Sequence, residues 1–314
     1  MNKKLLYVLI GLYGLGLLCG LYVIISQPAP SKSGLKMPMV PMNKDAVAIV
    51  QIYGPIFIRD SSGPRFGPTN DADRIVKRLH KISQRNDIKA VILRINSPGG
   101  SVAAVQEICK EVDLLKKNKK IVVASLGDVA ASGGYYIASQ ADKIIASPGT
   151  LTGSIGVILQ MANVQELFKK IGVKMQTIHT GKYKDIGSAF RDLTPEEKDI
   201  FQKLTDDAYS QFVGAVESGR KFTHEKALEL ADGRIFTGTQ AKELGMIDEF
   251  GNSEDAVVIA GQLAGIKGTP RIVGDTDRWE EFLGMFGGGE SAEIKMMTEM
   301  LSKRKIRMDY MLEY

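Results

Sequence analysis

Ala90-Val-Ile-Leu-Arg-Ile95 runs into Asn96-Ser97-Pro98-Gly99-Gly100-Ser101, and from there into Val102, Val105, Cys109, Val112 and Leu115. A short apolar run ended by a Pro-Gly cluster reads as a buried strand. The three- and four-residue spacing after it reads as one face of a helix. The same grammar recurs on both sides. Upstream, Val47–Tyr53 is a β-branched run closed by Gly54-Pro55, and Ile75, Val76, Leu79 and Ile82 mark a helix over Ala72–Ile82. Downstream, Ile121–Leu126, Lys143–Ala146 and Lys174–His179 read as strands, and Val164–Ile171 as a helix. Thr194-Pro195-Glu196-Glu197 is a helix start: a capping Thr, Pro at the first position, then acids at the positive end of the dipole. That helix runs to about Ser218, and Thr223–Leu230 and Thr239–Leu244 read as further short helices. The alternation predicts an α/β domain with a largely parallel sheet.

Composition narrows the function classes. The 314 residues are 44% hydrophobic and 25% charged, which excludes general disorder. A net charge of +5 gives no concentrated basic face, so nucleic-acid binding lacks its electrostatic footprint. Cys19 lies in an apolar run and Cys109 in a helical pattern, so no disulfide framework is expected. Two Cys and three His also argue against a multi-ligand zinc site, and no cofactor is implied.

Leu5–Ser26 is free of charge. At about 1.5 Å per residue, a helix of that length crosses a hydrocarbon core of roughly 30 Å. The run exceeds the usual apolar region of a cleaved signal, and Gln27-Pro-Ala-Pro-Ser follows it rather than a small-x-small site. A retained transmembrane anchor behind a stub of residues 1–4 is the expectation. Lys3 and Lys4 nearly balance Lys32 and Lys36. The tiny stub and large following domain favour an N-in, C-out insertion. Residues 27–44, with Pro28, Pro30, Pro38 and Pro41, read as an extended linker. A folded domain over 45–286 and a tail over 287–314 follow. The tail opens on Gly287-Gly288-Gly289, places Ile294, Met297 and Leu301 at helical spacing, and closes on Met308-Asp-Tyr-Met-Leu-Glu-Tyr314. It reads either as a C-terminal helix with a frayed end or as an apolar tail that docks in a groove or on a neighbouring subunit.

Three segments carry candidate chemistry. Asn96–Ser101 offers backbone amides between a strand and a helix, suited to an anion or a developing oxyanion. Neither a P-loop nor a G-x-G-x-x-G pattern is present. In Gly127-Asp-Val-Ala-Ala-Ser132-Gly-Gly-Tyr-Tyr136, Ser132 stands between Ala131 and Gly133. Small neighbours present a nucleophile at a sharp strand-to-helix turn, although position 130 is Ala and G-x-S-x-G is not met. A tightly packed helix start is the plain alternative. Gly149–Val157 holds three glycines and three hydroxyl residues. Ser154 there could orient a base, or the hydroxyls could bond within their own turn. A serine nucleophile needs a proton acceptor. Among His80, His179 and His224, only His179 is placed for it, and Thr180-Gly-Lys182-Tyr-Lys184-Asp-Ile-Gly187 follows directly. A lysine serves when desolvation lowers its pKa from about 10.4. The residues alone leave His179, Lys182 and Lys184 open.

Taken together, N-S-P-G-G-S, D-V-A-A-S-G-G-Y-Y-I-A, G-T-L-T-G-S-I-G-V, G-K-Y-K-D-I-G, R-I-F-T-G at Arg234–Gly238 and E-L-G-M-I-D at Glu243–Asp248 resemble the signal peptide peptidase A family of serine proteases in its short bacterial form. The resemblance implies a Ser–Lys dyad. Ser132 is then the nucleophile, Lys184 the general base, and Ser154 the hydroxyl that bonds the lysine. Gly99 and Gly133 supply the oxyanion amides. It also implies the crotonase/Clp-protease fold, a spiral of β-β-α units, and ring-shaped homo-oligomers in which adjacent protomers share the dyad. The substrates implied are leader peptides released in the membrane. The implied location is the bacterial cell membrane, single-pass through Leu5–Ser26, with the catalytic domain outside the cytoplasm. Two other classes fit the same glycine loops: a crotonase-type acyl-CoA enzyme, disfavoured by an external location, and a non-catalytic membrane scaffold.

Overall fold

In the computed structural model, residues 45–58, 71–274 and 309–311 are described. β1 (Ala46–Tyr53), β2 (Ile88–Ser97), β4 (Ile121–Ala131) and β5 (Lys143–Ala146) are the expected apolar runs. β1, β2 and β4 lie side by side in parallel, β4 also pairs in parallel with β5 and with β6 (Leu151–Gly153), and β9 (Arg271–Val273) closes the β1 edge. β7 (Ile235–Thr237) joins β6 antiparallel, and β8 (Glu249–Phe250) joins β5 in parallel.

Both faces of the sheet are covered, which is why β2 is continuously apolar. Its odd residues Val91, Leu93 and Ile95 pack with α1 (Ala72–Ser83) and α2 (Val102–Lys117) through Ile75, Leu79, Val105, Ile108 and Val112. Its even residues Ala90 and Ile92 meet Ala256 and Ala260 of α8 (Ser253–Leu263). The crossovers α1 and α2 lie between parallel strands, so the ends of β2, β4 and β6 that precede the glycine loops converge on one rim.

α3 (Gly133–Ser139), α4 (Gln165–Lys170), α5 (Pro195–Arg220), α6 (His224–Leu230) and α7 (Gly238–Glu243) complete the described helices. Thr194 caps α5 as its sequence predicts. Its hydroxyl accepts from Glu197 N at 3.2 Å, and the Glu197 carboxylate accepts from Thr194 N at 2.9 Å. Phe212 of α5 stacks on Tyr136 of α3, with ring centroids 4.8 Å apart.

Two expectations are corrected. β4 does not stop at Leu126. It pairs with β5 through Val123–Ser125, then changes neighbour and pairs with β6 through Val129–Ala131. Lys174–His179 forms no strand: among the described residues no edge pairs with it, and Val173, Met175 and Ile178 are exposed. The expected anchor Leu5–Ser26, the linker and the helix through Ile294, Met297 and Leu301 lie outside the described residues. Among those described, no helix is long and apolar enough to cross a membrane.

Candidate active site

Ser132 stands where β4 turns into α3. Its backbone holds φ 51°, ψ −119°. A non-glycine residue at such a positive φ stores strain of about 1–3 kcal/mol, and such outliers persist only where the surroundings over-determine them. Here Ser132 N donates to Gly153 O at 2.7 Å, and Ser132 O accepts from Tyr136 N at 2.8 Å. The residue is 1% exposed. A Cβ on Gly134 would lie 2.8 Å from Ser97 O, so the second glycine after Ser132 lets α3 close on the end of β2. The amides of the first turn of α3, Gly133 among them, have no acceptor within the helix.

The Asn96–Ser101 loop packs against this turn. Gly99 adopts φ 104° and its N–H donates to the buried Ser97 Oγ at 3.1 Å. Gly99 O accepts from Ile56 N at 2.8 Å, and Ser101 N donates to Ile56 O at 2.9 Å. A Cβ on Gly100 would fall 1.9 Å from Ile56 O, so no other residue fits there. Gly99–Ser101 is itself a strand, β3, which the sequence did not signal because Gly-Gly-Ser has no strand propensity. β3 pairs antiparallel with β10 (Asp309–Met311): Ser101 with Asp309, Gly100 with Tyr310, Gly99 with Met311. β10 also lies against α3, the helix that Ser132 caps. An extended segment of the chain's own C-terminus therefore occupies the peptide edge beside Ser132.

The third loop joins the same site. Thr150 Oγ1 donates to Gly127 O at 2.8 Å and Thr152 Oγ1 to Ala130 O at 2.6 Å. These hydroxyls bond across to β4 rather than within their own turn. Ser154 (φ 50°) follows Gly153 at the acceptor of Ser132 N, and its own N donates to Arg234 O at 2.8 Å. Ser154, Ile155, Val157, Asp206, Tyr209 and Asp232 line an open cavity of about 400 Å³.

Lys184 is exposed in the turns Gly181–Gly187. These turns are held by Lys184 N to Gly181 O (3.3 Å), Ile186 N to Tyr183 O (3.2 Å) and Ser188 N to Asp185 O (3.0 Å). His179 is held in the same turns, with Nδ1 3.1 Å from Gly181 O and Nε2 3.4 Å from Asp185 Oδ1. Lys182 Nζ sits over the Tyr183 ring at 5.0 Å. Among the described residues, none of the three candidate bases bonds to Ser132. The single chain thus brings together Ser132, Gly133, Gly99 and Ser154, and among the described residues no hydrogen bond joins Lys184 to them.

A second set of residues, which the sequence reading did not single out, surrounds the Lys184 turns. The Arg191 guanidinium bridges two carboxylates. Nε and Nη2 reach Asp185 at 2.9 Å each, and Nη1 and Nη2 reach Glu197 at 2.7 and 2.6 Å. Arg191, with the Thr194 N–H, holds the Glu197 carboxyl down to about 2. The same guanidinium holds Asp185 below the usual carboxylate range. In the sequence Glu197 reads only as one of the acids at the positive end of the helix dipole, and Asp185 only as part of G-K-Y-K-D-I-G.

The peptidase family S49 pattern matches residues 114–267, and the Clp protease pattern matches residues 67–152. A protein of Synechocystis sp. named as a protease is 44% identical over 229 residues, 73% of this chain and 78% of its own. Serine protease SPPA, chloroplastic, of Arabidopsis thaliana is 38% identical over 226 residues, 71% of this chain and 33% of its own. An Enterococcus faecium protein named as signal peptide peptidase SppA is 42% identical over 180 residues, 57% of this chain and 52% of its own. Both matched patterns run through β4 and the strained Ser132. With that serine at its rim, a Clp-protease-like α/β domain at its centre and a relative similar over most of both chains, the chain belongs to peptidase family S49 and is a serine-type peptidase.

Proposed function

We propose that this chain is a membrane-anchored serine endopeptidase that degrades released leader peptides and similar apolar polypeptides. The strained, buried Ser132 at the strand-to-helix turn carries the reading. Neutral Lys184 takes the Ser132 Oγ proton as the oxygen attacks the scissile carbonyl. The amides of Gly99 and Gly133 hold the oxyanion, and Ser154 orients the lysine. The lysine proton passes to the leaving amine and an acyl-enzyme remains. Lys184 then deprotonates the water that hydrolyses it. Gly99 N–H donates to Ser97 Oγ, and an oxyanion held by this amide takes the place of that hydroxyl. No cofactor enters.

The exposed position of Lys184 favours a dyad completed between protomers of a ring-shaped homo-oligomer built on a spiral of β-β-α units. Leu5–Ser26 anchors the chain in the bacterial cell membrane, with the catalytic domain outside the cytoplasm. The β10 segment on β3 supports an extended peptide as substrate.

The test is the full-length chain with a fluorogenic apolar peptide, comparing wild type, Ser132→Ala, Lys184→Ala and His179→Ala across pH. The first two variants lose turnover, His179→Ala keeps it, and wild-type turnover rises with pH. Co-assembled Ser132→Ala and Lys184→Ala chains regain about a quarter of wild-type turnover, the random-mixing fraction of complete junctions. Full activity of Lys184→Ala would overturn the base, and no recovery on mixing would overturn the shared dyad.

A further inference from the structure

We infer that Asp185, Arg191 and Glu197 form a clamp that positions Lys184 for proton transfer. The inference rests on the proposed role of Lys184 as base. The turns that carry Lys184 belong to no helix or strand and are exposed. Their own backbone bonds, each spanning three residues, fix a shape but not a place. Placement comes from the side chain next to Lys184. Asp185 gives both carboxylate oxygens to Arg191, and Arg191 gives its other edge to both oxygens of Glu197. A planar guanidinium bound bidentately at two edges leaves neither carboxylate free to swing.

Glu197 is a fixed point. Its side chain is 3% exposed, it accepts from Thr194 N, and it stands in the first turn of α5. α5 packs Phe212, Val213 and Val216 into the main core. The chain of contact therefore runs core, α5, Glu197, Arg191, Asp185, Lys184. Two lesser ties close the same segment: Val164 N to Ala189 O at 2.7 Å, and the Phe168 and Phe190 rings at 5.2 Å. Neither reaches residue 184 directly. Since a displacement of about 1 Å at a reacting group costs roughly 100-fold in rate, a base carried on exposed turns needs such a tie.

The experiment compares full-length wild type with Arg191→Gln, Arg191→Lys, Glu197→Gln and Lys184→Ala. Arg85→Gln is the control, because Arg85 forms a similar fork with Asp87 away from the site. Turnover of a fluorogenic apolar peptide is split into kcat and KM. Ser132 labelling by a fluorophosphonate, oligomer mass and thermal midpoint are read in parallel. Arg191→Gln is expected to lower kcat and the labelling rate by about 10- to 100-fold at unchanged KM and mass, at a temperature where the variant remains fully folded. Arg191→Lys, which keeps charge but not the fork, falls between, as does Glu197→Gln. Arg85→Gln equals wild type. Wild-type kcat in Arg191→Gln with Lys184→Ala inactive overturns the clamp alone. Activity that falls only in step with loss of the folded, assembled fraction at the assay temperature, in both Arg191→Gln and Glu197→Gln, makes the network structural and also overturns it. Full activity of Lys184→Ala overturns the base, and the clamp with it.

Discussion

Ending the chain at Gly289 removes β10 and uncovers the β3 edge. The size of the effect follows from the register. Gly99 O and Ser101 N turn toward Ile56, so strand alternation directs the N–H and C=O of Gly100 toward Tyr310, its partner in β10. Two main-chain bonds at about 0.5–1.5 kcal/mol each favour the occupied edge by about 1–3 kcal/mol, a bias of roughly 5- to 150-fold. A peptide that pairs with the same edge must displace the tail. The shortened chain is therefore expected to raise kcat/KM for an apolar fluorogenic peptide by at least about 5-fold, with kcat unchanged because saturating substrate displaces the tail in any case. Tyr310→Pro deletes one of the two bonds and should give about half the effect on a logarithmic scale. A synthetic peptide of residues 304–314 added to the shortened chain should inhibit competitively. Initial rates over a range of substrate decide the matter. Equal kcat/KM in the two chains, or a change confined to kcat, would refute competition at β3.

Gly100→Ala places a methyl group 1.9 Å from Ile56 O, so the loop must open, and turnover should fall at least about 100-fold while circular dichroism keeps the helix content. Arg220→Ala leaves Asp248 without the bidentate partner that, after burial, most shapes its depressed carboxyl pKa, and should lower unfolding stability by about 3 kcal/mol in urea titration. Glu197 has its folded-state pKa lowered from 4.5 to about 2, so its contribution is complete above about 4.5 and disappears as pH falls toward about 2. The thermal midpoint of Glu197→Gln should therefore lie below wild type at pH 6 and approach it near pH 2.5.

Much of the fold was legible because burial on both faces forces continuous apolar strands. Ala90–Ile95 could be read without knowing its neighbours, and the crossover helices announced themselves by spacing and by the Thr194 cap. The misreadings share one physical cause: strand identity depends on a partner that sequence does not display. Lys174–His179 has strand composition but no edge to join. Gly99–Ser101 has no strand composition, yet Ile56 on one side and β10 on the other make it one. β4 passes Leu126 because β6 takes over where β5 ends. At the site, the sharp strand-to-helix turn at Ser132 was legible from the small residues beside it. Ser97 as acceptor for Gly99 N–H was not, since nothing in a serine's type tells which amide it will meet.

The arm that holds Lys184 unites these observations. Leu167, Ile171, Val173, Met175 and Ile178 are exposed along it, Ile178 completely. Scattered apolar side chains on a surface need no explanation, but five between residues 167 and 178, two of them in the segment that failed to become a strand, do. Each gains roughly 1.5–3 kcal/mol when fully buried, so in the proposed oligomer a second copy covering the arm would supply both the missing neighbour and the driving force for association. The proposed sharing of the dyad follows from the same geometry. Ser132, Gly99, Gly133 and Ser154 are fixed by β2, β4 and β6 within one chain, whereas the turns of Lys184 are tied chiefly to α5 through Arg191. A lysine held this way is placed by its own protomer, while among the described residues no hydrogen bond joins it to Ser132. On the proposed reading, packing of a neighbouring subunit is what brings the base and the nucleophile together.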